Sequence, residues 1–413
     1  MKKQYEPHLA KRAYINEGDD IILAINAEAK EMKRMGKPVI NASIGTLYDE
    51  EGHFSTLPMI DEALKEALSP SGRSYPQVGG SKEFQECVLQ WLLQEYHSSI
   101  TSTFHSKVVA TAGGTGAIAL AFRNYTELDQ SILIPTPGWA NYKAIASQVG
   151  AIPLPYSLYD GNHFNQEGVS ALLMKVAKEE GRVFFVLNDP SQNPTGYTLS
   201  EVELDGFIAS LNKASDIAPV TVLFDIAYFD FTKSDRSRLI FKKLSAFHPN
   251  VLSLFAFSAS KTFSIYGLRL GALIAFSRNK EEIQLFGEAS LSVARAIWSC
   301  ANAHAIEALV HLLKSPTNRE VLAEELTNER LMLEKRGELF TEEARAIGLK
   351  TYPYISGFFV TMSCSHANEI AKKLKAQGIF VLPMKNEFLR VALSCITLKE
   401  TKGLAKKIYE AMK

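Results

Sequence analysis

Six short apolar runs between about residues 105 and 280 constrain this chain more than any other feature. They are Lys107–Ala110, Ile132–Pro135, Val183–Leu187, Val220–Phe224, Val251–Phe257 and Gly271–Phe276. Several are near-continuous in Val, Ile, Leu and Phe, as strands buried on both faces tend to be. The intervals between them are long enough for helices. The pattern predicts an α/β fold whose large domain is a mostly parallel sheet covered by helices on both faces.

Beyond residue 315 the pattern changes. A long amphipathic helix is expected from Arg319 to about Ile347, stopped by Gly348 as a C-cap. Gly357–Thr361, Ile379–Val381 and Leu389–Leu393 then read as strands of a smaller α+β unit. The first fifty residues are expected to pack there too. The expected division is residues 1–50 with 320–413 as the small domain, and 51–319 as the large one. A chain of 413 residues is too long for one simple core, so two domains are the natural reading.

Charge excludes some partners. Lys plus Arg equals Asp plus Glu, 45 each, which argues against a nucleic-acid binder. No apolar run reaches membrane-spanning length, so no membrane partner is expected. Met1–His8 carries positive charge without an apolar stretch behind it, so no signal peptide is expected. Cys87, Cys300, Cys364 and Cys395 are far apart and form no metal-spaced pair. A reducing, cytoplasmic setting fits, and no metal site is expected.

Ligands of α/β sheets sit beyond the carboxyl ends of the strands. Five segments with chemical potential fall at those ends: Ala112–Gly116, Pro137–Asn141, Asn188–Gly196, Asp225–Tyr228 and Ser258–Lys261. Lys261 comes four residues after the end of the run Val251–Phe257. A lysine there is costly unless it has a task, and a desolvated amine loses its charge and becomes nucleophilic. Two serines before it, Ser258 and Ser260, and Arg269 after it could hold an anionic group beside it. An aldehyde cofactor with a phosphate, such as pyridoxal phosphate, suits that set.

The other segments can be read in the same terms. Thr111–Ala117 places glycines where backbone N–H groups and a helix N-terminus favour a phosphate. It also satisfies the dinucleotide fingerprint, but the next strand ends in Pro135-Thr136-Pro137, with no acidic residue for a ribose. A plain glycine-rich turn is the alternative. Trp139 could stack on a flat ring, or be a core tryptophan. Asn193-Pro194-Thr195-Gly196 fixes a turn that aims the Asn193 amide at one place, as a phenolate oxygen would require. Asp225 ends a buried strand and needs a cationic partner such as a protonated pyridine nitrogen, unless it caps a helix. Tyr228, three residues on, could donate to a phenolic oxygen.

Taken together, these residues resemble the aspartate aminotransferase family, the fold type I enzymes that use pyridoxal phosphate. The resemblance runs from about Asn41 to Ser394, with the motifs in the family's order and spacing. It implies that Lys261 forms the Schiff base with the cofactor and moves the proton. It implies that Asp225 holds the ring nitrogen, that Asn193 and Tyr228 hold the ring oxygen, and that Trp139 stacks on the ring. Gly114, Thr115, Ser258 and Arg269 would bind the phosphate, and Tyr75 would reach the phosphate of a neighbouring subunit in a homodimer. Arg390 resembles the arginine that grips the α-carboxylate, with Gly45 closing over it. Trp139 and Asn193 would also border the substrate. Arg295, 34 residues after Lys261, resembles the arginine that pairs with a dicarboxylate's side chain across the dimer interface.

There are departures. Tyr142 stands where aspartate-specific members usually carry a histidine supporting the ring-nitrogen aspartate. Gly267-Leu268 replaces the acidic residue often found before Arg269, and Trp298 and Cys300 differ from the commonest run after Arg295. The expected activity is transfer of an amino group from an aspartate-like or aromatic L-amino acid to a 2-oxo acid such as 2-oxoglutarate, in a ping-pong cycle. The nearest alternative is C–S or ring-closing lyase chemistry on the same scaffold. A non-catalytic ligand-binding regulator is a further alternative, but the part before Asn41 is too short for an added DNA-binding domain.

Overall fold

A computed structural model describes residues 21–68 and 70–413. The opening Met1–His8 segment, and with it the first twenty residues assigned to the small domain, lies outside them.

Thirteen strands follow one another along the described chain: β1 (Ile40–Ala42), β2 (His105–Ala112), β3 (Ser131–Thr136), β4 (Ile152–Ser157), β5 (Tyr159–Asp160), β6 (His163–Phe164), β7 (Val183–Asn188), β8 (Val220–Asp225), β9 (Val251–Phe257), β10 (Leu270–Ser277), β11 (Phe359–Ser363), β12 (Ile379–Met384) and β13 (Phe388–Ala392). Seven of them form the large sheet in the order β2-β10-β9-β8-β7-β3-β4, and only β10 runs against the rest. This is the mostly parallel sheet that the apolar runs predict, and each of the six runs lies in one of its strands.

Alternate side chains of the central strands enter two separate cores. Phe185 and Leu187 of β7, Val222 and Phe224 of β8, and Phe255 and Phe257 of β9 join one. Phe184 and Val186, Leu223, and Leu254 and Ala256 join the other, on the opposite face. Both faces are therefore covered, which is why these strands carry no polar alternation.

The seventh strand, β4, has no apolar run to announce it. It is an edge strand, Ile-Pro-Leu-Pro-Tyr-Ser, paired in parallel with β3 alone. Ile152 donates its N–H to Gln130 on the β3 side (2.9 Å). Pro153 and Pro155, which have the opposite parity, therefore turn their donorless nitrogens outward, where an edge tolerates them. At the other edge the outward N–H of Ala110 is taken by the Gly79 carbonyl (3.0 Å).

The small sheet has the order β1-β12-β13-β11. It draws β1 from the N-terminal part and the rest from the C-terminal part, so the smaller α+β unit is built from both. Its core includes Ala42, Val360, Ile379, Val381, Leu389 and Val391. The long helix spans Pro316–Ile347, with the Ser315 hydroxyl accepting from Asn318 N–H and Gly348 in the left-handed region at φ 76°. Leu322 and Leu326 near its start belong to a large-sheet core, and Phe340 and Ala344 near its end to the small-sheet core. One rigid rod thus fixes the two sheets against each other.

Candidate active site

The carboxyl ends of β7, β8 and β9 lie side by side, with Asn188 paired to Asp225 and Asp225 to Ala256. That register brings the three richest motifs to one rim. Asp225 is buried, and its carboxylate accepts the Tyr142 hydroxyl and the Ala227 N–H (3.1 Å). Its carbonyl takes the Asn188 side-chain amide (2.8 Å), whose oxygen accepts the Asn193 N–H (2.7 Å). Burial pushes the Asp225 carboxyl up to about 6, against the lowering pull of Tyr142, Ala227 and Lys261.

Lys261 lies in the one-turn helix Ala259–Thr262 that follows β9. Its amine donates to the Gly45 carbonyl (2.8 Å) and lies 4.7 Å from the Tyr266 ring centroid and 5.6 Å from that of Tyr228. Desolvation, with help from the charges of Arg269 and Arg390, brings its pKa down to about 7, although Asp225 opposes the shift. The amine is therefore neutral in a large fraction of molecules near neutrality, as a nucleophile or base must be.

Arg390, on β13, is only 4% exposed. It donates to the Asn193 side-chain oxygen (3.2 Å) and the Ser43 carbonyl (2.8 Å), and its Nε has no partner among the described residues. Its guanidinium lies 4.3 Å from the centroid of the Phe359 ring, and burial lowers its pKa to about 10. Tyr228 is buried beside it, its hydroxyl held above the ordinary range by desolvation. Gly45 has no room for a side chain, since a Cβ would lie 2.6 Å from Phe359.

A second cationic corner lies at the start of the helix Gly113–Tyr125. Ala112 offers no side-chain cap, so the first-turn N–H groups around Gly114 and Thr115 are open to an anion. Ser258 packs against Gly114, and the Arg269 guanidinium against Gly113, where a Cβ would come within 2.5 Å of it. Arg269 itself donates to the Tyr266 carbonyl (2.9 Å), and no carboxylate among the described residues pairs with it. Arginine, serine and uncapped amides form a donor set for phosphate.

Trp139 is half-buried and meets Tyr142 edge to face at 5.3 Å. Lys261, Asp225, Tyr228, Asn193, Gly45 and Arg390 are thus brought together, with Gly114, Thr115, Ser258 and Arg269 in the adjoining corner. Two of the residues singled out from sequence are not. Tyr75 is 91% exposed, and Arg295 is exposed at the end of the helix Lys280–Ile297, donating to Ser299. Tyr266, Asn188, Ser43 and Phe359 were missed as site residues. Asn188 ends its strand and Tyr266 lies five residues after Lys261, so both carried local signals, whereas Ser43 and Phe359 touch the site only through long-range contacts.

At the rim of the covered sheet, then, an amine with a lowered pKa lies near one buried guanidinium, Arg390, and a more exposed one, Arg269. Residues 37–408 match the family described as aminotransferase class I and II. An aspartate aminotransferase of Pseudomonas aeruginosa is 30% identical over 341 residues, 80% of this chain and 82% of that protein. An aromatic-amino-acid aminotransferase of Paracoccus denitrificans is 27% identical over 380 residues, covering 88% and 91%. The crystal structure of an aminotransferase from Anaerococcus prevotii superposes with a TM-score of 0.93 at 30% identity, over 99% of this chain and 100% of that one. The chain belongs to the class I and II aminotransferases and is an enzyme of amino-group transfer. The lyase and regulator alternatives are not favoured. Among the described residues, no helix is long and apolar enough to cross a membrane.

Proposed function

We propose that this enzyme uses pyridoxal 5'-phosphate to move an amino group between an aspartate-like or aromatic L-amino acid and a 2-oxo acid such as 2-oxoglutarate. The observation that carries the reading is Arg390: a buried guanidinium with no carboxylate partner among the described residues, near enough to Lys261 for its charge to help lower that amine's pKa. A buried charge left unpaired is expensive, and a ligand carboxylate is the partner it lacks. The cofactor fits the rest. Gly114, Thr115, Ser258 and Arg269 would hold its phosphate, Asp225 its ring nitrogen, and Asn193 and Tyr228 its ring oxygen. Trp139 would cover one face of the ring. When bound, the cofactor supplies an electron sink for charge that develops on the amino acid's α-carbon.

The chain's own groups do the remainder. Arg390 binds the α-carboxylate in bidentate fashion, and the Gly45 backbone closes over it. Holding the carboxylate fixes the α-carbon's bonds, so binding energy becomes orientation. The Lys261 amine takes a proton from that carbon and returns it elsewhere, which its lowered pKa permits near neutrality. Amino acid and oxo acid use the pocket in turn, which makes the cycle ping-pong. Tyr75 and Arg295 face outward because the working unit is a homodimer with shared sites, placed in the cytoplasm. The described part of residues 1–50, with 320–413, acts as the small domain and 51–319 as the large one, the long helix crossing between them.

An absorption spectrum tests this. Protein reconstituted with pyridoxal phosphate should show a visible band, absent in Lys261→Ala, that L-aspartate bleaches and 2-oxoglutarate restores. Bleaching by tyrosine or phenylalanine alone would make Arg295 secondary. No band after reconstitution would sink the proposal.

A further inference from the structure

Behind Lys261, away from the cleft, a single carboxylate ties three elements together. Asp230 lies in the 3-10 turn Phe229–Phe231, two residues after Tyr228 and five after Asp225. Its side chain is 5% exposed. One oxygen accepts the Thr262 hydroxyl (2.9 Å) and the Trp91 indole N–H (3.1 Å), and the other accepts Arg238 (3.0 Å). Arg238 also donates to the Trp91 carbonyl (3.1 Å), and its guanidinium lies 4.9 Å from the centroid of the Phe229 ring. The Trp91 and Phe263 rings meet at 5.6 Å. The result is a buried ion pair walled by aromatic rings.

Thr262 is the neighbour of Lys261 and the last residue of the one-turn helix that carries it. A helix of one turn has little stability of its own and takes its place from what it packs against. At the front, the lysine is held by its bond to the Gly45 carbonyl. That bond must yield when a ligand arrives. At the back, the turn is held by Asp230. The segment from 225 to 230 therefore supplies two residues to the cleft, Asp225 and Tyr228, and a third that reaches around to hold the lysine's turn.

We infer that Asp230 is a positioning residue: through the Thr262 hydroxyl it fixes the turn carrying Lys261, and so sets where the amine lies relative to Asp225 and Tyr228. The inference rests on the reading of Lys261 as the reactive lysine. It accounts for a buried ion pair that touches no ligand site, and for a threonine whose hydroxyl is spent on that carboxylate.

Asp230→Asn would leave Arg238 buried without its charge partner and could fail to fold. Thr262 gives the cleaner test. Thr262→Val removes one bond and leaves Asp230 with Arg238 and Trp91, while Thr262→Ser keeps the hydroxyl. The readout is the ionisation of the Lys261 amine in cofactor-free protein. It is followed by trace acetylation across pH and mass spectrometry, with a melting curve for each variant. The groups facing the amine are Asp225, Arg269, Arg390, Tyr228 and Tyr266, and none is altered. In Thr262→Val the turn should loosen toward water, and the midpoint should rise by roughly half a unit or more. Thr262→Ser should keep the midpoint of the unaltered protein. An unmoved midpoint in Thr262→Val would show that the bond merely stabilises the fold and would overturn the inference. So would an equal shift in both variants, because Thr262→Ser keeps the hydroxyl and the shift could then not come from its bond to Asp230. Neither measurement needs bound cofactor or turnover, so failure here is separable from failure of the proposed activity.

Discussion

Arg390 shows at the scale of one residue how function and stability pull apart. Its guanidinium is buried, bonded to a carbonyl and an amide oxygen, with Nε unpartnered and no carboxylate beside it among the described residues. Such a charge costs the empty fold and rewards only a ligand-bound one. Arg390→Met should therefore leave the cofactor-free protein as stable as before, or raise its melting temperature. The same change should lower kcat/KM for the amino acid by at least about ten- to a hundredfold, the loss expected for one hydrogen bond between charged groups where Arg390 would make two. A variant that melts clearly earlier would show the arginine to be structural. Lys261, Asp225 and Asn193 stand out in the sequence because each follows or ends an apolar strand, whereas Arg390 was singled out only by the resemblance to the family. The bond from Tyr142 to Asp225 has no local signal, since 83 residues separate them; only the resemblance, which puts Tyr142 where relatives carry a histidine supporting that aspartate, pointed to it.

Among elements, the helix Pro58–Glu66 is notable for being held by a neighbour. Leu57 offers it no side-chain cap. Glu325 of the long helix accepts the Met59 N–H instead (3.4 Å), and Glu329, one turn later, accepts the Ser55 hydroxyl. Burial raises both carboxyls above their ordinary values, Ser55 and Arg336 pulling Glu329 the other way. A carboxyl with a raised folded pKa binds its proton more tightly in the fold. Stability from it grows as pH falls from neutrality toward 4.5, and is lost as pH rises through the folded pKa. Glu329→Gln keeps an acceptor for Ser55 and removes the charge. It should raise the melting temperature at pH 8 by about a degree or two, with the difference vanishing near pH 4.5. A lower melting temperature at pH 8 would mean that Ser55 needs the ionised acceptor. The same elements mark the limits of sequence reading. The long helix was legible to within three residues at its start because its C-cap glycine and its periodicity are local signals. Strand β4 was not, because two prolines break the apolar run and only its place at the edge permits them.

For the whole molecule, the proposal of sites shared between two copies turns on the exposed Tyr75 and Arg295. If each completes a site in a second copy, two crippled chains should repair one another. Arg295→Ala alone should lose aspartate turnover and keep more of its activity toward phenylalanine, while Lys261→Ala alone should be inactive with both. Mixed and allowed to exchange subunits, the two preparations should recover aspartate activity, since one site in each mixed dimer holds an intact Lys261 and an intact Arg295. No recovery, with exchange verified by native mass spectrometry, would place Arg295 outside the site. The large sheet adds a condition on how copies can meet. Pro153 and Pro155 leave the β4 edge without outward donors at those positions, and Gly79 occupies the outward N–H of Ala110 at the opposite edge. Another molecule's strand would find the row of donors interrupted along β4 and one donor already taken along β2. The large sheet is thus poorly suited to growth strand by strand, and two prolines and one borrowed carbonyl act as its guards against fibre formation.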